Sequence, residues 1–161
     1  MPSVIGHNAC DRTSLDPDSF IFVVDVLDAY LPKADGVPQT PGTGDPVVVT
    51  APNGAPGITI PKSGGSSVEP PEELVVSVLQ RGDGDKLEAG TNAVVHYTGV
   101  LWDTNKVFDS TWEDNSAAVF QLREESVVTG FLDGLVGQTV GSQVLLVVPP
   151  ELGYGDTGNG S

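Results

Sequence analysis

Proline placement is the feature that most limits the folds open to this chain. Nine of its 13 prolines fall between residues 30 and 72, and the later residues contain only Pro149 and Pro150. Each proline fixes φ and removes a backbone donor, so a long helix cannot form in the proline-rich segment. Together with 20 glycines, this pattern favours strands joined by turns. We therefore expect residues 31–72 to form an extended, semi-stiff linker and residues 73–161 to form the globular part.

The segment from residue 73 onward predicts an α+β domain. Val127, Val128, Phe131, Leu132 and Leu135 recur at helical spacing within 126–137, with Ser126 as the expected cap and Gly137 as the stop. The surrounding apolar runs predict an antiparallel, twisted sheet of about five strands wrapped on this one short helix. The expected strands cover 73–80, 92–102, a piece beginning at 107, 118–122 and 142–150.

One further strand pattern stands far from this sheet. Residues 18–27, "DSFIFVVDVL", read as a strand covered on both faces, yet the linker follows them directly. An interior strand without neighbours would leave apolar side chains in water. The segment therefore needs a sheet to join.

Charge and composition exclude several classes of partner. The net charge is −15 with seven Lys plus Arg, so nucleic acid and anionic membranes are poor partners. Cys10 is the single cysteine, and neither it nor the two histidines have metal-ligand spacing, so we expect no metal and no cofactor. The sequence shows no secretory signal and no membrane span, and it does not determine the cellular compartment. The low Lys content and the Pro/Gly/Thr-rich linker lean weakly toward an extracytoplasmic location, in the cell envelope or secreted.

Several motifs occur in a recognisable order over residues 73–161. They are "VVHYTGVLWDTNKVFDST", then "SVVTGFLDGLVGQTVGSQVLLVVPPELGYGDTGNG". This order resembles the FKBP-type peptidyl-prolyl cis-trans isomerases. The resemblance implies that an interior final strand of the type "DS-x-VFVVDVL" belongs after the Tyr-Gly loop, and residues 18–28 have that pattern. The N-terminal segment, residues 1–30, therefore resembles the last strand of an FKBP domain: the tail of a preceding domain in a tandem protein, or a permuted half.

The resemblance implies that residues 18–28 complete the domain at 73–161. Three arrangements stay open: insertion within one chain, exchange between two chains in a strand-swapped dimer, and a disordered N-terminus. The first two make identical contacts, since a swapped dimer uses the same strand in the same slot.

The resemblance also implies an apolar, aromatic proline pocket that works without a catalytic dyad. Twisting an X-Pro amide removes its resonance and needs no proton transfer, so a dry cradle that favours the twisted amide suffices. The implied catalytic residues are Tyr97, Phe108, Asp109, Phe131, Tyr154 and Phe22. The implied substrate-binding residues are Val127, Val128, Trp112 and Leu101.

Two departures bear on activity. Asp114 stands where the family often has an arginine that pairs with the Asp109 position, and Ala118 stands where a second pocket phenylalanine is expected. Trp112 is the candidate to fill that space. The leading hypothesis is an isomerase, with weakened activity, acting on proline-containing peptides and unfolded proteins and inhibited by the family's macrolides. The alternatives are a non-catalytic proline- or macrolide-binding chaperone module and a strand-swapped structural fragment.

Overall fold

The computed structural model describes residues 30–114 and 116–155. The N-terminal segment, with Cys10, Phe22 and the expected strand at 18–28, lies outside the described residues, so predictions about it stay predictions. The strands are β1 (Val37–Pro38), β2 (Val47–Thr50), β3 (Pro56–Thr59), β4 (Lys62–Ser63), β5 (Ser66–Ser67), β6 (Val75–Arg81), β7 (Asn92–Val95), β8 (Thr98–Val100), β9 (Val107–Ser110), β10 (Ala118–Gln121) and β11 (Gln143–Val147). The helix α1 spans Thr129–Leu135, and a 3-10 turn spans Pro150–Leu152.

The strands pair in antiparallel ladders. β6 lies between β11, its long partner, and the two-residue β1. A second ladder joins β7 to β10, and β8 pairs with β9 as a hairpin. Antiparallel strands with one short helix confirm the predicted α+β class.

The expected strand at 92–102 is broken into β7 and β8. Thr111 explains the break, because its backbone N–H donates to the Tyr97 carbonyl at 3.1 Å and its hydroxyl oxygen accepts from the Tyr97 N–H at 3.0 Å. The Tyr97 backbone is therefore held by Thr111. This contact fixes the residue that carries the central ring of the candidate site.

The proline-rich segment has more structure than an extended linker. β2 and β3 form a hairpin, β4 and β5 form another, and Ile60 is only 3% exposed. Side chains of the later strands hold this segment in place. Asn105 binds the backbone of Ile58 and Ile60, and the Trp102 indole N–H donates to the Val68 carbonyl at 2.7 Å. Proline excluded helix here, but short β ladders need few donors and remained available.

The helix is shorter than the predicted span and begins later. Its N-cap residue is Val128, without a side-chain cap, so the expected cap at Ser126 is wrong; the Ser126 hydroxyl instead accepts from Arg123 Nε at 2.9 Å. Gly137 follows the helix with φ 86°, as expected for a stop. The buried positions of α1 are Gly130 and Gly134, which bring its backbone close to Val148 and Leu146 of the β11 region. The sheet contact is thus made by small residues as well as by the apolar face expected from the sequence.

The described core is small. Its buried apolar members are Ile60, Ala93, Leu122, Leu145 and Val147. Across residues 30–114 and 116–155, no helix is long and apolar enough to cross a membrane.

Candidate active site

Three aromatic rings form the centre of the candidate site. Phe131 on α1 lies edge-on to Phe120 on β10, with ring centroids 5.4 Å apart, and edge-on to Tyr97 at 6.5 Å. Tyr97 and Phe120 approach each other at 5.8 Å. Edge-to-face rings at these separations attract one another beyond simple burial. The segment between β7 and β8, the strand β10 and the helix therefore meet at one apolar surface, the ring cluster Tyr97–Phe120–Phe131.

A polar pair borders this ring cluster. The Tyr97 hydroxyl donates a short hydrogen bond to the Asp109 carboxylate, which β9 presents beside it. This hydrogen bond, with partial burial and repulsion from the carboxylate charge, raises the pKa of Tyr97 to about 12. The Tyr97 phenol is therefore protonated at neutral pH and its proton is committed to Asp109. The Tyr97 hydroxyl is therefore a poor source of a free phenolate at neutral pH.

An open cleft of about 400 Å³ lies at the N-terminal end of α1. It is lined by Val127 and Val128, by Tyr154, and on its polar side by Glu124 and Glu125. Tyr154, which is 56% exposed, is close enough for its own charge to add to the raised pKa of Tyr97. Tyr154 therefore lies within electrostatic range of Tyr97, while the three rings of the cluster do not themselves line this cleft. Within the described residues, the backbone N–H of Val128 has no hydrogen-bond partner, so it is available to a ligand carbonyl.

A second open cleft, of about 530 Å³, shares Glu124 and Glu125 in its lining. Its lining includes Leu122 and Leu132 but none of the residues that the sequence predicts for the site.

Among the other predicted site residues that the structure describes, neither Phe108 nor Trp112 makes a ring contact with the ring cluster. The Phe108 ring lies over Gly99, where a Cβ atom would come within 2.4 Å of it, and the ring is 46% exposed. Leu101 lies at the turn between β8 and β9 and is 48% exposed. Trp112 stacks on His96 with ring centroids 4.2 Å apart, and His96 is not part of the ring cluster. Phe22 lies outside the described residues.

Sequence reasoning missed Phe120. Ala118 and Phe120 are two residues apart on β10, so their side chains share a face of the strand. Phe120 therefore supplies an aromatic ring from the same face of β10 as Ala118. The alternation of "AVFQ" was the available signal, once 118–122 was assigned as a strand.

Within the described residues, Asp114, which stands where the family often has an arginine, forms no hydrogen bond with Asp109. Asp109 is oriented by the Tyr97 hydroxyl, and Asp114 is exposed. In the described part of the chain, no three His, Cys, Asp or Glu side chains lie close enough together to hold a metal ion.

The sequence of this chain is similar to those of several known proteins. Residues 84–161 match the sequence model of the FKBP-type peptidyl-prolyl cis-trans isomerases. An FK506-binding protein of Streptomyces anulatus is 38% identical over 92 residues, which are 57% of this chain and 74% of that protein. A probable FK506-binding protein of Corynebacterium glutamicum is 37% identical over 90 residues, or 56% of this chain and 75% of that protein. FK506-binding protein 2B of Rhizopus delemar is 42% identical over 96 residues, but the chain covers only 46% of it.

The fold and the ring cluster thus define a proline-directed isomerase domain. The chain belongs to the FKBP-type peptidyl-prolyl cis-trans isomerase family. This confirms the family, the fold class and the isomerase class of enzyme that the sequence predicts. The division into residues 1–30, 31–72 and 73–161, the tandem origin and the compartment stay predictions.

Proposed function

We propose that this chain catalyses rotation about X-Pro bonds on the ring cluster Tyr97–Phe120–Phe131, with the proline ring seated against Phe131. The observation that carries the proposal is the convergence of three rings beside the open cleft at Val127, Val128 and Tyr154. No proton transfer is required, because amide rotation breaks no σ bond.

Rate acceleration comes from binding the twisted amide better than the planar one. A twisted amide has lost resonance and is less polar, so an apolar ring surface that excludes water favours it over the ground state. The Val128 N–H can hold a substrate carbonyl on one side of the rotating bond. The aromatic side chains hold the proline ring at the same time. With the carbonyl and the ring both held, rotation occurs about the X-Pro bond between them.

The same surface supports the proposed partners. Proline-containing peptides and segments of unfolded proteins present a proline ring and flanking carbonyls, and macrolides of the kind named in its relatives would compete for the same rings. The open form of the cleft suits a peptide chain that enters and leaves at both ends.

The first prediction tests the rings individually. We expect Phe120→Ala and Phe131→Ala each to lower kcat/KM for an X-Pro peptide by roughly 10-fold, because each removes an apolar contact worth about 1.4 kcal/mol in the transition state. NMR exchange spectroscopy on the peptide measures this directly. Val119→Ala is the matched control, since Val119 neighbours Phe120 on β10 but is 63% exposed. Turnover equal to buffer in the unsubstituted chain, with macrolide binding intact, would leave a binding module instead of an enzyme.

A further inference from the structure

We propose that the proline-rich segment positions the Asp109 carboxylate against Tyr97, and that Asn105 and Trp102 are the positioning residues through which it does so. The segment precedes residues 84–161, the part of the chain that matches the family, so membership of the family assigns it no role. The catalytic consequence of this proposal rests on the proposed function, whereas the placement of Asp109 does not.

The strand that carries Asp109 has few partners of its own. Within the described residues, β9 forms a ladder with β8 alone, and the register of that ladder shifts between Gly99 and Val100. The two strands are joined by the turn at residues 101–106. The position of Asp109 therefore depends on the contacts that hold this turn and the base of the hairpin.

The proline-rich segment holds the turn by hydrogen bonds to two side chains. The Asn105 side-chain oxygen accepts from the Ile60 N–H at 3.0 Å, and its amide donates to the Ile58 carbonyl at 3.4 Å. The Trp102 indole N–H donates to the Val68 carbonyl at 2.7 Å. Both side chains are half-buried. The turn is thus attached at two points to backbone groups of the segment.

The base of the same hairpin also packs against the segment. The Trp112 ring stacks on His96, and a Cβ atom on Gly54 would lie 2.7 Å from that ring, so the backbone of the segment approaches it closely. Thr111, the residue before Trp112, binds the Tyr97 backbone. The segment therefore supports the hairpin β8–β9 at both ends.

The geometry of the hairpin explains how a contact at the turn acts on Asp109. Asn105 lies six residues before Thr111, and Asp109 lies two residues before it. At about 3.3 Å per residue, these separations are about 20 Å and about 7 Å. A turn that swings by about 3 Å about the base therefore moves Asp109 by about 1 Å. A shift of that size takes the Tyr97–Asp109 hydrogen bond out of its normal range of distances.

NMR titration of the tyrosine ring carbons, with Tyr97 assigned from Tyr97→Phe, tests this placement without any substrate. Asn105→Gly keeps the left-handed backbone and removes both bonds to the segment, while Trp102→Phe keeps an aromatic ring and removes the indole donor. We expect each variant to lower the pKa of Tyr97 from about 12 toward its ordinary value near 10. If Asn105→Gly fails to fold, Trp102→Phe decides the test. An unchanged Tyr97 pKa in the folded variants would overturn the proposal.

Two further variants separate positioning from a general loosening of the chain. Ser77→Ala removes the hydroxyl on β6 that donates to Asp45, another contact of the proline-rich segment, and it should leave the pKa of Tyr97 unchanged. Asn105→Asp keeps an acceptor for the Ile60 N–H and tolerates a left-handed backbone, so it should retain most of the raised pKa. An equal fall of the Tyr97 pKa in Ser77→Ala and Asn105→Gly would overturn the proposal.

Kinetics on an X-Pro peptide measure the catalytic consequence. We expect Asn105→Gly to lower kcat/KM by about 3- to 10-fold, because a displaced Asp109 no longer holds the Tyr97 ring in place. In the Asp109→Ala background the same substitution should have no further effect, since the group that it positions is absent. Additive effects in the double variant would overturn the proposal. A chain without turnover, in which Asn105→Gly still lowers the pKa of Tyr97, would contradict the proposed function and leave the placement of Asp109 supported, so the two failures are distinguishable.

Discussion

At the scale of single residues, the Tyr97–Asp109 pair sets the electrostatics of the site. We expect Asp109→Ala to lower the pKa of Tyr97 from about 12 toward its ordinary value near 10, because the hydrogen bond and the carboxylate charge both favour the protonated phenol. Ultraviolet titration of phenolate absorbance measures the shift, with Asp114→Ala as the control of equal charge. An unchanged high-pH titration in Asp109→Ala would show that another group holds the Tyr97 proton.

The Tyr97–Asp109 pair also makes the free energy of unfolding depend on pH in the alkaline range. Tyr97 binds its proton more tightly in the folded chain than in the unfolded chain, so its contribution is complete below pH 10. That contribution is lost as pH rises from about 10 to 12. Asp109→Ala should flatten the loss of stability over this alkaline range.

Asn105 is the residue that joins the proline-rich segment to the β8–β9 hairpin. Its side-chain oxygen accepts from the Ile60 N–H at 3.0 Å, its amide donates to the Ile58 carbonyl at 3.4 Å, and its φ is 55°. Asn105→Gly keeps that left-handed backbone without strain but removes both hydrogen bonds. We expect a loss of about 1–2 kcal/mol in the free energy of unfolding, measured by urea denaturation.

The two hydrogen bonds of Asn105 also predict where in the chain the stability is lost. Amide exchange should quicken at Ile60 and leave the β6–β11 ladder unchanged. Asn53→Gly, which removes a local turn contact to the Ala55 N–H, is the matched control. Equal stability of Asn105→Gly and the unsubstituted chain would mean that the segment docks by other contacts.

At the scale of elements, α1 approaches the sheet through its two buried glycines. A Cβ atom on Gly134 would lie 2.4 Å from Leu146 Cδ2, which is too close for any real contact. Alanine improves helix propensity by up to about 1 kcal/mol, while overpacking costs about 1–3 kcal/mol. We therefore expect Gly134→Ala to lower the free energy of unfolding by about 1–2 kcal/mol in denaturant titrations. Asp133→Ala on the exposed face should not destabilise, and a more stable Gly134→Ala would show that β11 can recede.

Elements also show where reading the sequence succeeds and fails. Periodicity located β6, β9, β10, β11 and the helix, because apolar alternation reports burial directly. It failed at Tyr97, where a threonine distant in sequence takes the place of a ladder partner. It failed again at Ser126, because the helix begins where α1 meets the sheet and not at the nearest good capping residue.

At the scale of the whole molecule, the net charge of −15 should influence which peptides are turned over. Glu124 and Glu125 line the cleft beside Tyr154, so a peptide with Lys flanking proline should be turned over several-fold faster than one with Glu at low ionic strength. The difference should collapse in high salt, where such charges are screened.

Paired substitutions separate the local from the global effect. The double variant Glu124→Gln, Glu125→Gln should reduce the rate preference for peptides with Lys beside proline. The control double variant Glu72→Gln, Glu73→Gln makes the same charge change away from the cleft lining and should not alter that preference. Kinetic assays of the matched peptides measure this. An equal effect of both double variants would assign the preference to net charge alone.

The sequence by itself determined the family and the α+β class, because those depend on motif order and on local periodicity. It also predicts Tyr97, Asp109, Phe131 and Tyr154 as members of the site, and their roles stay predictions. Only the tertiary structure decided that Phe120 supplies the third ring, that Trp112 stacks on His96, and that the proline-rich segment packs against the domain. Those outcomes depend on contacts between side chains that are distant in sequence, and a local sequence pattern does not specify such contacts.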